Sequence, residues 1–518
     1  MVQRFNLRQQ VLIMLLAIPV SAQTIGGAAQ LGGQVAVSVP VGTLAIQNVD
    51  PHFSDTTIWA NFSTTTFATV SMACGTVLGT YNIPSVDANT GGPIQHKQIV
   101  PGLAPSTTYF CQITAVGGTT VTYNFSITTS ATPASAAITS LSLGTPNPYN
   151  SINVSNQGNA DTFYNHKCGN GVTYMVNGDS TGFTISGAPA YVTGQGGQQN
   201  IMQVLSESPL TIQTINRFLN YGSFNPVHFL SDGLSSKAFG VLCVANVLYL
   251  DIGRQNQASV QSGGGYAQTA GNIISSNDFG QTWNSPDNPA LYGSVPPASL
   301  TSTMWPGSSP TTMGSCAFVK FGADDGTLGY GVALNQHDNG NAFAYLVCNE
   351  GEWAGGGSQG GGNALYLARV ARAKLQNLSG SDYQWYTGGD GNLSANWSST
   401  KSSAVAILTN TGELGTPEVV YVPSKNRFLI LTFFYPTGVT NGGNNLNCTW
   451  LGYEAKDLWG TWTQIYSQNF SSGALAGSYN PIVLSDTIYS GNTPTVLFTN
   501  GFGAGSGYVP YYATLTIN

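Results

Sequence analysis

The run from Asp161 to Gly182, DTFYNHKCGNGVTYMVNGDSTG, places a carboxylate at each open end of a predicted β-hairpin. Two apolar-alternating stretches flank Gly169-Asn170-Gly171, a loop of residues that tolerate positive φ. Closing the hairpin there sets Cys168 opposite Val172, and counting outward in equal steps sets Asp161 opposite Asp179. Directly opposed residues have Cβ atoms roughly 4.5–5.5 Å apart. Two carboxyl groups that close repel, so one keeps a proton while the other stays ionised, which is the pairing that acid and nucleophile or base chemistry requires. The plain alternative is a solvated hairpin end or a metal-free turn.

The chain around this hairpin must supply a rigid frame, and its composition points to an all-β one. It has 518 residues, of which only 7% are charged, against roughly 25% in an average globular chain. With 64 Gly, 25 Tyr, 22 Phe and 9 Trp, it favours short strands, tight turns and aromatic packing over helices. A net charge of -7 with 15 Lys plus Arg leaves no basic stripe for a phosphate backbone, so nucleic acid is not an expected partner. Uncharged polar and aromatic surface suits neutral sugars instead. Arg4 and Arg8, the apolar run Val11–Val20 and the small-residue site Val20-Ser21-Ala22 read as a secretory signal cleaved after Ala22. No later run approaches the roughly 18 apolar residues of a membrane span, so a secreted protein without membrane insertion is expected, as a monomer. Seven cysteines suit that compartment, and the odd count leaves one thiol over.

After a Gly-rich tail (23–36), residues 37–130 carry strand-like runs at sandwich spacing: 57–63, 68–74, 98–100, 107–115 and 121–128. The run GLAPSTTYFCQI (102–113) resembles the corner before strand F of a fibronectin type III or immunoglobulin-like module, with Tyr109 two residues before Cys111. That resemblance puts Cys74 on the neighbouring strand and implies a Cys74–Cys111 disulfide; Cys316 with Cys348 is a further guess. The module reads as a spacer. A Pro-broken linker (131–136) leads into one unit, 137–518, whose strand clusters at 161–183, 238–283, 315–386, 417–465 and 481–517 imply a five-bladed β-propeller. SNDFGQTW (276–283) fits the Asp-box of sialidase-type propellers, making Asp278 a structural brace, and LWGTWTQI (458–465) resembles the WGPWT run of five-bladed glycosidases.

The ordered set of hairpin with NGDS, SSKAFGVLCVANVLYLDIGRQN (235–256), Asp-box, NALYLARVARAKL (363–375), YQWYTGG (383–389), TPEVVYVPSKNRFLIL (416–431) and WGTW resembles a family of secreted five-bladed propellers, formerly a domain of unknown function, that includes endo-D-arabinanases. The resemblance implies a glycoside hydrolase acting on an arabinofuranose-containing polysaccharide through two aspartates, which fall on Asp161 and Asp179. The usual GDT is Gly178-Asp179-Ser180 here and a Lys-Pro pair is Lys237-Ala238, departures that bear on substrate more than on fold. Retaining glycosidases hold their carboxyls about 5–5.5 Å apart and inverting ones about 6.5–9.5 Å, so an opposed pair reads as retaining; the spacing does not assign the roles, for which Asp179 as acid/base and Asp161 as nucleophile is the working choice and the reverse stays open. Lys237 and Arg254, at the ends of a predicted inner hairpin, and Glu418, opening a strand after Pro417, are candidate substrate-binding residues, with structural ion pairing as the alternative. Asp251 lies close to them without a readable orientation. Asp324-Asp325-Gly326 reads as a turn, and His166 and His337 as ordinary polar residues. No metal-ligand spacing, Ser-His-Asp set or phosphate loop is present, so no cofactor is expected, with structural calcium left open. Two rival readings are a non-catalytic carbohydrate-binding or adhesive propeller and a polysaccharide lyase.

Overall fold

The computed structural model describes residues 43–53, 58–87, 95–100, 102–131, 135–149, 161–168, 172–180, 198–207, 210–220, 235–244, 246–255, 268–281, 283–284, 304–306, 315–321, 343–349, 362–391, 393–436, 447–484, 492–500 and 509–518. The signal, cleavage site and Gly-rich tail expected over 1–36, the Asp324-Asp325-Gly326 turn and His337 therefore lie outside the described residues.

The N-terminal unit comprises β1 (Ile46–Phe53), β2 (Ile58–Thr64), β3 (Thr69–Gly75), β4 (Ile83–Pro84), β5 (Val86–Asp87), β6 (Gln95–Val100), β7 (Thr108–Val116) and β8 (Thr120–Thr128). They form two four-stranded sheets, β1-β2-β6-β5 and β4-β3-β7-β8. Strict alternation in β7 turns Tyr109, Cys111, Ile113 and Ala115 inward, and the first three meet Ile58, Phe62 and Val100 of the other sheet in one core. Cys74 and Cys111 face each other across β3 and β7 and are disulfide-bonded. The Tyr109 hydroxyl accepts the Ala104 N–H at 2.8 Å, tying strand to preceding loop.

Beyond the linker come β9 (Leu141–Leu143) and β10 (Asn147–Pro148), then four sheets in chain order. The first holds β11 (Asn165–Lys167), β12 (Thr173–Ser180), β13 (Gln198–Glu207) and β14 (Leu210–Asn220). The second holds β15 (Ser235–Val244), β16 (Val247–Gln255), β17 (Gln268–Ser276) and β18 (Trp305–Pro306). The third holds β19 (Cys316–Phe318), β20 (Phe343–Asn349), β21 (Ala364–Ala371), β22 (Tyr383–Tyr386), β23 (Trp397–Ser398) and β24 (Ala406–Thr409), so it runs past the expected end at Tyr386. The fourth holds β25 (Glu418–Val422), β26 (Arg427–Phe434), β27 (Cys448–Ala455) and β28 (Thr463–Phe470). In the fifth, β29 (Ser478–Val483), β30 (Thr495–Asn500) and β31 (Val509–Ile517) are joined by β9 and β10, which both pair with β31. The two ends of the unit thus share one sheet, and five meanders linked in chain order with this closure have the connectivity of a five-bladed propeller.

First strands line the axis and neighbours cover both of their sides: every residue of β25 and β29 is buried, the polar Glu418, Ser478 and Asn480 among them, whereas β28 on the outside is largely exposed. Consecutive sheets are tied at these strands. The Cys168–Cys243 disulfide joins the first to the second, and Lys320 pairs in parallel with Val420 between the third and fourth. Cys316–Cys348 is formed within the third sheet, and Cys448 is the buried free thiol.

Candidate active site at the axis

The hairpin that carries Asp161 forms, and its register near the loop is the expected one: Asn165 faces Met175, His166 faces Tyr174, Lys167 faces Thr173, and the Cys168 N–H donates to Val172 O at 2.9 Å. The register then slips by one. Asp161 exchanges both backbone hydrogen bonds with Gly178, at 3.0 and 2.8 Å, so it stands opposite Gly178 and not opposite Asp179. The cause is Thr162, whose backbone adopts φ 54° and whose hydroxyl accepts the Gly178 N–H at 3.1 Å. A β-branched residue in the left-handed region is strained, and the extra hydrogen bond offsets part of that cost. The slip removes the cross-strand premise on which a retaining carboxyl spacing rested. Asp179 lies on β12 next to this bridge, and its side chain is outside the described residues.

Asp161 is 6% exposed, and its Oδ2 accepts the Tyr479 hydroxyl at 3.2 Å. Tyr479 comes from β29, so the contact crosses the closure between the fifth and first sheets. Its ring is fixed against Phe433 and Tyr435, with centroids 5.7 and 6.4 Å away. The next residue, Asn480, has φ 55° at a register shift between β29 and β30; it is buried, and neither atom of its amide meets a partner among the described residues.

One step further along the axis lies a sealed polar clamp. Lys320 Nζ stands 2.5 Å from Glu418 Oε1 and donates to Val483 O at 3.1 Å, while the Val483 N–H donates to the same Glu418 oxygen at 3.2 Å. The Asn165 amide also donates to Val483 O, at 3.1 Å, so the clamp draws on the first, third, fourth and fifth sheets. Both ions are about 1% exposed. Burial raises the Glu418 carboxyl to about 6, opposed by the Lys320 charge, and burial lowers the Lys320 ammonium against the pull of Glu418. His166 accepts the Cys243 N–H on Nδ1 at 3.3 Å; burial first, then Lys320, lowers it to about 3, so it is a neutral packing imidazole. Asp251 accepts the Cys316 N–H at 2.8 Å, bracing second sheet to third, and burial pushes its carboxyl well above the usual range.

Of the sequence candidates, Asp161 occupies the axis, and Glu418 lies there too but in a closed ion pair instead of at a surface. Lys237 pairs with Gly253 and its neighbour Ser236 with Arg254, which puts both cations at the open end of the β15–β16 hairpin; their side chains are outside the described residues. Lys320, Tyr479 and Asn480 were not legible as site residues. The one cue was a lone Lys in the apolar run SCAFVKF (315–321), which needs a partner if both faces are covered. The run SNDFGQTW forms a local brace: Ser276 Oγ donates to Asp278 Oδ1 and accepts the Gly280 N–H, both at 2.7 Å, and Trp283 is buried. Among the described residues no three His, Cys, Asp or Glu side chains gather as metal ligands would, and no helix is long and apolar enough to cross a membrane.

No family model and no curated protein matches the chain. Solved structures to which the chain is distantly similar include RS223-β-xylosidase, at 9% identity and TM-score 0.37, covering 72% of this chain and 96% of that one. A variant of the GH43 protein BlXynB from Bacillus licheniformis gives 10% identity and TM-score 0.38 over 72% of this chain and 57% of its own. The polysaccharide lyase Uly1 gives 10% identity and TM-score 0.27 over 91% of this chain and 78% of its own.

Proposed function

We propose that the chain is a secreted glycoside hydrolase that cleaves a neutral polysaccharide, of arabinofuranose-containing type, with Asp161 and Asp179 as its two carboxyl groups. One attacks the anomeric centre, directly or through water, and the other protonates the departing glycosidic oxygen. The observation that carries the reading is Asp161 itself: a nearly buried carboxylate at the propeller axis, held by the Tyr479 hydroxyl and paired through its backbone to the residue before Asp179. In a chain with so few charges, such a group is a costly feature without a task. Lys237 and Arg254 would contact sugar hydroxyls from the neighbouring hairpin end, and Glu418 would act from inside, by fixing β29.

Residues 1–22 would be the removed signal, 37–130 a fibronectin III-like module, 131–136 the linker and 137–518 the catalytic propeller. The disulfide between β3 and β7 and the Tyr109 corner bond support the module reading.

Incubating the protein with a panel of arabinans and related glycans, beside Asp161→Asn and Asp179→Asn, tests the assignment. Turnover by the parent with loss of several orders of magnitude in both variants is expected, and proton NMR of the first-formed anomer separates retention from inversion. Equal activity in the variants removes the two aspartates, and binding without turnover in the parent favours the adhesive reading.

A further inference from the structure

The N-terminal unit has one face that the hydrolase reading leaves without a use, the outer surface of β4-β3-β7-β8. None of these four strands contains Asp, Glu, Lys, Arg or His. The partner sheet is different, since β1 carries Asp50 and His52, β5 Asp87 and β6 His96 and Lys97. The absence of charge is thus a property of one face and not only of the chain's composition.

Across that face Ala73, Gln112 and Asn124 form a single row of paired residues on β3, β7 and β8. Gln112 Nε2 donates to Asn124 Oδ1 at 3.0 Å, and the Tyr81 hydroxyl donates to the same oxygen at 3.2 Å. Tyr81 lies in the β3–β4 connection, and its hydroxyl reaches Asn124 on β8, which stands beyond β7 in the sheet order. The turn folds back onto β3: Val77 bridges Thr80, Gly79 has φ 82°, and a Cβ on Gly75 would stand 1.9 Å from Thr80 O. Only glycine at 75 allows that approach, which delivers Tyr81 to the face. Asn124 Nδ2 and Gln112 Oε1 have no protein partner among the described residues, and Asn124 is exposed.

We infer that this face is an accessory binding site for a neutral glycan, with the Tyr81 ring as stacking platform and the Gln112–Asn124 pair as hydroxyl ligands. An aromatic ring held by its own hydroxyl loses little freedom on stacking against the apolar face of a sugar. A spare amide donor and a spare amide acceptor beside it match the donor and acceptor character of a sugar hydroxyl. A face without charge offers nothing to a phosphate, a uronate or a basic peptide. The inference deepens the proposed function by giving the N-terminal unit a hold on the polymer, yet it does not require that the propeller be catalytic.

The test is affinity electrophoresis of the full chain carrying Asp161→Asn, in gels containing arabinan, arabinoxylan, galactan or polygalacturonate. Retardation in at least one neutral gel and none in polygalacturonate is expected, weakened about tenfold by Tyr81→Ala and by Asn124→Ala. Both positions lie at the surface, and an unchanged unfolding midpoint of each variant verifies the fold. Identical migration of parent and both variants, retardation by polygalacturonate alone, or no retardation in any neutral gel overturns the inference. Hydrolysis of short soluble oligosaccharides by Tyr81→Ala in the Asp161 background is measured separately and reports on the propeller alone, so failure of one reading is distinguishable from failure of the other.

Discussion

Replacing Lys320 by Met removes the only cation of the axial clamp and leaves the Glu418 carboxyl with the Val483 N–H at 3.2 Å as its remaining donor. Both groups are about 1% exposed, so water does not substitute for the ammonium, and breaking one side of a buried pair costs about 3–5 kcal/mol. The pH dependence separates this cause from lost packing. Glu418 sits at about 6 with Lys320 beside it, above its ordinary 4.5, so the stability it contributes is present below the ordinary value and is lost as pH rises through the folded value. Without Lys320 the folded value moves higher, and the loss continues above pH 6, where the parent has already completed it. The deficit of Lys320→Met relative to the parent should therefore widen by about 1.4 kcal/mol per pH unit above 6. Urea unfolding at pH 6 and pH 8, followed by tryptophan fluorescence, reads both quantities. A deficit below about 1 kcal/mol at pH 8, or the same deficit at both pH values, would refute the clamp as an electrostatic device. The Lys320→Met/Glu418→Gln double variant removes both charges and is expected to recover most of the loss.

Tyr479→Phe keeps the ring against Phe433 and Tyr435 but deletes the hydroxyl that reaches Asp161. Turnover on the glycan identified by the panel should fall about 10- to 100-fold while stability changes by about 1 kcal/mol or less, and a variant as active as the parent would remove Tyr479 from the site. Replacing Cys168 and Cys243 by Ala opens a cross-link over 75 residues and should lower stability by about 2–4 kcal/mol; an unmoved urea midpoint would show that the first two sheets do not depend on it. Alkylation without reductant should label Cys448 alone, and only after denaturation, since that thiol is buried and the other six cysteines are paired. Mass spectrometry that finds a second labelled cysteine would contradict the pairing.

How much of the fold is legible in the sequence follows the reach of each physical rule. A sheet with one covered face prints alternation into its strand, which is why β7 was placed to within a residue, and an axial strand covered on both faces prints an unbroken apolar run, as in β25. Counting by twos from the Gly169-Asn170-Gly171 loop held as far as Val176, whose N–H still donates to Tyr164 O at 2.9 Å. It failed at Thr162, because no local rule sends a β-branched residue to φ 54°. Lys320 and Glu418 lie 98 residues apart and meet only when the third and fourth sheets pack, and Tyr479 reaches Asp161 across 318, where the ring closes. Sequence patterns therefore located the hairpin and the carboxylate, while ring closure chose their partners. The chemistry expected of Asp161 consequently rests less on an opposed second aspartate than on the strand β29. The axial ion pair holds Val483 of that strand, and Tyr479 of the same strand holds the carboxylate. A perturbation of the clamp that leaves the propeller folded should on this account lower turnover through Tyr479, and the Lys320→Met/Glu418→Gln variant, neutral at the axis, is the protein in which that coupling can be measured apart from stability.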